Sequence, residues 1–360
     1  MKRIFAILLC AAMLLALVAC GNDTPDTPKE ADYKLGMGVV VDMNSSATGN
    51  AQVDATVAAV VTDAAGKIVA CRIDVAQNKM AIAEGAVDTA ATFKTKMELG
   101  DDYGMAPAVN YGMDWNNDGK VLEWYDQAKA FETYVTGKTV AEVEAIATKE
   151  VEGKGYIIAA DEALLSAGCT IQITDFIAAV AAACKDEQGM AFKTADAFTL
   201  GVAAKSFVDE DATKAATAEA DGSVGMYTDF AAAVVADGKI IAALNDAIQP
   251  KITINAAGEI VEKSYKATKR NLKEEYGMAP AVNYGMDPNG DGVTYEWYIQ
   301  SEAFSKHVVG MTADAVAAME TAANSIGYQM STDADLVAAG CTIQITAIKA
   351  VMAQAAKNAR

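Results

Sequence analysis

Twelve residues, Tyr103 to Asp114 (YGMAPAVNYGMD), recur letter for letter at Tyr276 to Asp287. The eight-residue segment AGCTIQIT at Ala167–Thr174 recurs at Ala339–Thr346, and EWY falls between the landmarks at Glu123–Tyr125 and Glu296–Tyr298. Internal repetition constrains the fold more than composition does, because each copy must build the same supersecondary unit. Weaker pairs continue upstream: Leu35-Gly36 with Leu200-Gly201, and the DxxGKI of Asp63–Ile68 with the DGKI of Asp237–Ile240. The repeats divide the chain into module one, residues 33–185, and module two, residues 190–357, joined by the polar stretch Lys185–Gly189. Each is long enough for a core of its own.

Residues 1–19 read as an export signal. Lys2 and Arg3 give a positive start, and Ile4–Val18 is an uncharged apolar run too short for a comfortable membrane span. Leu17-Val18-Ala19-Cys20-Gly21 then resembles the bacterial lipobox. That resemblance implies a diacylglycerol on the Cys20 thiol, cleavage before Cys20, and anchoring to the outer face of a membrane by buried methylenes worth about 0.8 kcal/mol each. Residues 20–32 are polar, carry Pro25 and Pro28, and read as a flexible tether.

The formal charge is −19, and it becomes two units more negative when Lys2 and Arg3 leave with the signal. Such a surface argues against nucleic acid and against docking on anionic lipid, and favours solubility or cation binding. Four cysteines remain beside Cys10 and Cys20: Cys71, Cys169, Cys184 and Cys341. They show no CxxC spacing, so zinc and dithiol redox chemistry are not written here. Apolar neighbours mark them as small buried hydrophobes, with a disulfide left open. A single histidine, His307, serves the chain, and its counterpart in module one is Tyr134. Ser-His-Asp, Cys-His and His-metal catalysis lose their usual component, and no catalytic apparatus is expected.

The pattern predicts an α+β fold in each module: an antiparallel sheet, helices on one face, and a closing strand–helix. Tyr33–Met43 and Ala51–Thr62 read as strands, with Val53, Ala55, Val57, Ala59 and Val61 on one face. Asp63–Gly66 turns the chain into Lys67–Val75. Leu122–Thr136 and Thr139–Lys149 read as helices, the second capped by Thr139 with Glu142 in its first turn. Thr170–Ile173 reads as a short strand, and Thr174 as the cap of a last helix over Asp175–Cys184 with a stripe of Phe176, Ile177, Val180 and Ala181. Phe198–Asp209 reads less clearly as a strand.

Three constellations could carry chemistry. Asp114, Asn116, Asp118 and Glu123, with Asp287, Asn289, Asp291 and Glu296, place oxygen donors around Gly119 and Gly292 in the manner of a calcium loop. The glutamate sits two places short of the EF-hand position, so a looser Ca2+ loop entering a helix is the expectation. The repeated Tyr103, Asn110, Tyr111 and Tyr276, Asn283, Tyr284 offer aromatic faces and an amide to a flat ligand, or shape a packed loop. Lys94, Lys96, Lys266 and Lys269 are basic spots on an acidic chain, suited to a phosphate or to a solvated helix face.

The third constellation is AGCTIQIT before the last helix. Together with the G-K-I-V sheet and the W-Y-x-Q-A-x-A-F segment, it resembles the extracytoplasmic FMN-binding domain, in which a Ser-Gly-Ala-Thr threonine is esterified to the FMN phosphate. The resemblance spans nearly all of each module. It implies that Thr170 and Thr342 face an FMN and that the partners are membrane electron-transfer components. Ala167 and Ala339 replace the motif serine, and Leu164 and Leu336 replace the expected acid. Two readings follow: a flavin-type carrier, and a non-redox binding or structural lipoprotein stiffened by calcium. Of the two modules, the first is the better candidate for a working site.

Overall fold

The computed structural model describes residues 31–106, 122–153, 155–279, 294–324 and 327–360. Mixed α and β structure with antiparallel sheets fills them, as the sequence predicts. Three strands open the chain: β1 (Ala31–Asp42), β2 (Asn50–Asp63) and β3 (Ile68–Ala83), with β4 (Ala86–Val87) folded back on the end of β3. At the β2–β3 turn, the Asp63 carboxylate accepts from the Ala65 and Lys67 amides at 2.9 Å each, and Gly66 takes a φ of +74°. The chain continues through α1 (Lys96–Leu99), α2 (Trp124–Val135), α3 (Val140–Glu144), the hairpin β5 (Thr148–Val151) and β6 (Tyr156–Ala159), α4 (Glu162–Ser166) and α5 (Thr174–Cys184).

The second half follows the same order. After β7 (Met190–Thr194) come β8 (Thr199–Val208), β9 (Gly222–Ala236), β10 (Lys239–Ile248), β11 (Lys251–Ile254) and β12 (Ile260–Ser264). Then come α6 (Lys269–Leu272), α7 (Trp297–His307), α8 (Ala313–Ala317), the hairpin β13 (Thr321–Ala323) and β14 (Gln329–Ser331), α9 (Ala334–Ala338) and α10 (Thr346–Lys357). Among the described residues no helix is long and apolar enough to cross a membrane.

The first sheet runs β4-β3-β2-β1-β7. The second is built on β9, which pairs with β8 along one side and with β10 and then β11 along the other, β12 lying outside β11. Strand alternation gives each sheet two apolar faces. Val53, Ala55, Val57, Ala59 and Val61 of β2 share one buried cluster with Val224, Met226, Phe230, Ala232 and Val234 of β9. The sheets therefore pack on each other, and Asn78 donates across this interior to Thr228 Oγ1 at 3.1 Å. Their outer faces carry the helices, in one cluster around Phe131 and Phe176 and another around Phe304 and Ile348. The order of layers is helix, sheet, sheet, helix. The core expected inside each module is thus in large part a core between them.

Gly36 and Gly38 let α5 lie almost on the backbone of β1. A Cβ at Gly36 would stand 2.0 Å from the Ala183 carbonyl oxygen, and one at Gly38 would stand 2.2 Å from that of Ala179. Gly201 repeats the arrangement with Ala355 at 1.9 Å, which accounts for the Leu-Gly pair in both halves.

Several local expectations change. Leu35 pairs with Met190 and Ala31 with Thr194 across β1 and β7, so the stretch at the start of the second half completes the edge of the first sheet, and Ala31 and Asp32 belong to β1 and not to the tether. A bulge between Val61 and Thr62 breaks the alternation of β3, bringing Ile68 and Cys71 to the same helix-facing side. Thr199–Val208 is a full strand. Thr170–Ile173 forms no strand, because the Thr170 amide donates to the Gln127 side chain and not to a neighbouring strand. The last helix of the first half begins at Thr174 itself with Ile173 before it, so Thr174 makes no side-chain cap. Thr139 does cap α3 with Glu142, but that helix ends at Glu144 and the chain turns into β5.

Candidate functional site

The site in the first half is built on the helix-facing side of β1 and β2. Asp74 of β3 is buried, and its Oδ1 accepts from the Val75 amide at 2.7 Å and the Met97 amide at 3.2 Å. Burial pushes its carboxyl up to about 6 against those hydrogen bonds. This clamp holds α1 over the sheet, and a capping box closes it, with Thr95 Oγ1 accepting from Glu98 and Glu98 Oε2 accepting from Thr95. Lys96 is thereby fixed with its ammonium 5.0 Å from the centre of the Tyr103 ring and 5.6 Å from that of Trp124.

Two buried side chains then lock the aromatic wall. Glu123, at the start of α2, accepts from the Met105 and Ala106 amides at 3.0 Å each. Gln127 donates to the Leu122 carbonyl at 2.9 Å and to Met105 Sδ at 3.2 Å, while its Oε1 accepts the Thr170 amide at 2.9 Å and the Thr170 hydroxyl at 3.2 Å. Every hydrogen-bonding atom of the Gln127 amide is engaged on both its oxygen and nitrogen sides, which ties the YGM segment, α2 and the CTI segment together.

Beneath this wall lies a cavity of ≈ 320 Å³, lined among others by Lys96, Tyr103, Trp124, Tyr156 and Thr170. Apart from Lys96 its charged lining is acidic, Asp42, Asp54 and Asp175, with Ser45, Thr56, Gln77 and Gln172 as neutral polar neighbours. Asp42 and Asp54 stand directly opposite each other in the β1–β2 ladder. Asp54 Oδ2 accepts from Gln52 Nε2 at 2.7 Å, whereas Oδ1 is enclosed without a hydrogen-bond partner. Burial raises the carboxyls of Asp54 and Asp175, the Asp42 charge raises both further, and Lys96 opposes.

The second half repeats the framework with different contents. Asp246 accepts from the Ala247 and Arg270 amides at 2.8 and 3.0 Å, and Glu296 accepts from Met278 and Ala279 at 2.9 and 3.1 Å. Gln300 accepts the Thr342 amide and hydroxyl at 2.8 and 3.1 Å. Where Asp42 faces Asp54 in the first sheet, Phe207 faces Tyr227 in the second, their rings stacked 4.7 Å apart at 15°. Lys269 is 6% exposed, with its ammonium 4.5 Å from the Tyr227 ring, 4.6 Å from that of Tyr276 and 5.5 Å from that of Trp297. Burial raises the Asp229 carboxyl and lowers the Lys269 ammonium, and attraction between the two opposes both.

The structure thus brings Tyr103 and Thr170 to one cavity, and it joins Tyr276 and Thr342 to one framework. Glu123 and Glu296 spend their carboxylates on backbone amides. Asn110, Tyr111, Asp114, Asn116 and Asp118 lie outside the described residues, as do Asn283, Tyr284, Asp287, Asn289, Asp291 and Cys20. Among the described residues there is no group of three or more metal-ligating side chains. Cys71, Cys169, Cys184 and Cys341 are free thiols, and burial pushes Cys169 and Cys341 up to about 12. Lys266 pairs with Glu275 on the surface, while Lys269 is buried and not on a solvated face.

An FMN ester-linked at Thr170 would put its phosphate at a hydroxyl that shares its cavity with three carboxylates and one lysine. Like charges disfavour that placement, so the donor set does not fit a phosphate. Asp42, Asp54, Trp124, Gln127 and Asp175 were not singled out from the sequence. Asp42 and Asp54 interrupt apolar strands, and Gln127 and Gln300 recur in the W-Y-x-Q segment, which are the signals that point to them. Comparison with family models, with curated proteins and with solved structures finds no match to the chain.

Proposed function

We propose that this chain is a lipid-anchored extracytoplasmic binding protein made of two copies of one α+β module, the first of which takes a small molecule. The cavity of ≈ 320 Å³ carries the reading. Its volume falls at the lower end of small-molecule sites, and it combines aromatic walls with a few convergent polar groups. The lipobox at Cys20 and the polar tether support the anchor, and the letter-for-letter repeats support the duplication. Asp74 holds the α1 backbone beside Lys96 through the Met97 amide, Glu123 holds the Met105 amide at the start of α2, and Gln127 holds Thr170, so the wall is organised before any ligand arrives. The acidic lining around Thr170 favours the binding reading over a flavin carrier, whose phosphate it repels.

The test is a thermal-shift screen of the mature protein against small molecules of all three charge classes, repeated with Trp124→Ala. Compounds that raise the melting temperature of the parent protein and not of Trp124→Ala support the cavity as the site. A screen in which no compound distinguishes the two proteins overturns it. Absorbance and intact mass of protein from its native membrane test the rest: a diacylglyceryl mass lost in Cys20→Ala supports the anchor, and a flavin band would return the flavin reading.

A further inference from the structure

Building on the cavity as a binding site, we infer that its ligand is an organic cation, an ammonium group on a flat or apolar body, and that the second half takes none because the stacked rings of Phe207 and Tyr227 fill the matching place. Three carboxylates and one ammonium line the cavity. Two of the carboxylates, Asp42 and Asp54, are cross-strand neighbours, an arrangement that costs stability until a positive charge joins them.

The second half supplies an independent view of what this framework accepts. Lys269 and Lys96 follow Thr268 and Thr95 and precede Tyr276 and Tyr103 by the same spacing. In the second half an ammonium is enclosed among the rings of Tyr227, Tyr276 and Trp297 and balanced by buried Asp229. In the first half Lys96 takes the same place over Tyr103 and Trp124, but Asp42 and Asp54 stand where Phe207 and Tyr227 stack, so carboxylates on the open cavity replace the aromatic plug. Three carboxylates against the single Lys96 ammonium leave counter-charge in the first half for a cation from outside. An anion meets repulsion there, and a neutral molecule leaves the carboxylates uncompensated.

The experiment is titration calorimetry on the full mature chain with three probes of one shape: phenethylamine, phenethyl alcohol and phenylacetate. The expected result is one equivalent of phenethylamine per chain, bound roughly tenfold or more tighter than the alcohol, with no binding of phenylacetate. Asp54→Asn and, separately, Asp42→Asn each lose about tenfold for the amine while keeping a cooperative melt, and Tyr227→Phe changes nothing. Equal or tighter binding of the alcohol or the acid overturns the inference, as does a second equivalent per chain. If the amine fails while the broader screen finds an anionic or neutral ligand that depends on Trp124, the cavity stands and the cation assignment falls. If no compound of any charge binds, both fall together.

Discussion

Asp186 and Arg270 meet at 3.2 Å between the two halves of the chain, each with only 6% of its side chain exposed. Asp186 follows α5 and also accepts the Met37 amide at 3.1 Å, while Arg270 in α6 donates to the Gln188 carbonyl at 2.8 Å. The pair bolts the end of the first helical layer to the helix that positions Lys269. Removing one partner leaves the other buried without compensation, which costs about 3–5 kcal/mol. Asp186→Ala should therefore lower the urea midpoint sharply. The double variant Asp186→Leu with Arg270→Met should lose less than the sum of the two single changes, and a double-mutant cycle with no coupling counts against the pair.

Gln127 supports the cavity wall from within the protein. Gln127→Leu strands the Thr170 amide and the Leu122 carbonyl, so it should cost about 1–3 kcal/mol for each buried group left unpaired. Gln300→Leu should cost a similar amount through Thr342 and Tyr295. Only the first should also weaken ligand binding. Denaturation and titration on the same two variants separate these effects.

Asp74 sets part of the pH profile. Its carboxyl titrates near 6 in the folded protein against an ordinary value of 3.8, because burial disfavours the charge. The folded chain thus binds more protons than the unfolded chain between those values, and stability falls as pH rises from about 4 to 6. The effect is on the order of 3 kcal/mol. Asp54 and Asp175 are raised as well and act in the same sense. Urea midpoints measured across this range should decline with pH in the parent protein and decline less in Asp74→Asn. A parent profile that climbs instead would contradict the assignment.

Lys269 balances Asp229 in the interior of the second half. Without the lysine, the Asp229 carboxyl must either ionise unpaired or take up a proton, and only the second is cheap at low pH. Lys269→Met should therefore destabilise more at pH 8 than at pH 5. Asp229→Asn in the same chain should recover most of the loss at pH 8. Thermal melts at the two pH values decide it, and a penalty independent of pH would show that only packing is lost.

A methyl group at Gly36 has nowhere to go, since its place is 2.0 Å from the Ala183 carbonyl oxygen. Gly36→Ala should push α5 away from β1 and cost about 1–3 kcal/mol, as overpacking does. Gly66→Ala, at an exposed turn with open space around it, should cost less and only through its φ of +74°. Equal losses in the two variants would argue against the close helix–strand contact.

Much of the local structure was legible. The Val53–Val61 alternation named the inner face of β2, the Asp63–Gly66 turn closed where expected, and the capping box at Thr139 was readable from residue types alone. What covers the inner face was not readable, because an apolar surface does not name its partner. The cavity was hidden for a related reason. Asp42 and Asp54 become neighbours only through the register of β1 on β2, which is set by the turn between them and not by composition. Thr170 was singled out for a hydroxyl chemistry, yet its amide and hydroxyl are both taken by a glutamine 43 residues earlier in the chain. The β3 bulge shifted Ile68 and Cys71 for want of any local sequence mark.

The common interior of the two sheets has a consequence for how the protein comes into being. A chain that emerges N-terminus first makes β1, β2 and β3 early, but the Val53–Val61 face finds its cover only when β8 and β9 have followed. β1 likewise has its outer neighbour only once β7 has emerged. Until then a broad apolar surface and an open strand edge stand exposed together, the combination most prone to sticking. The first half is therefore most exposed to wrong association during its own synthesis, and the arrival of the second half ends that exposure.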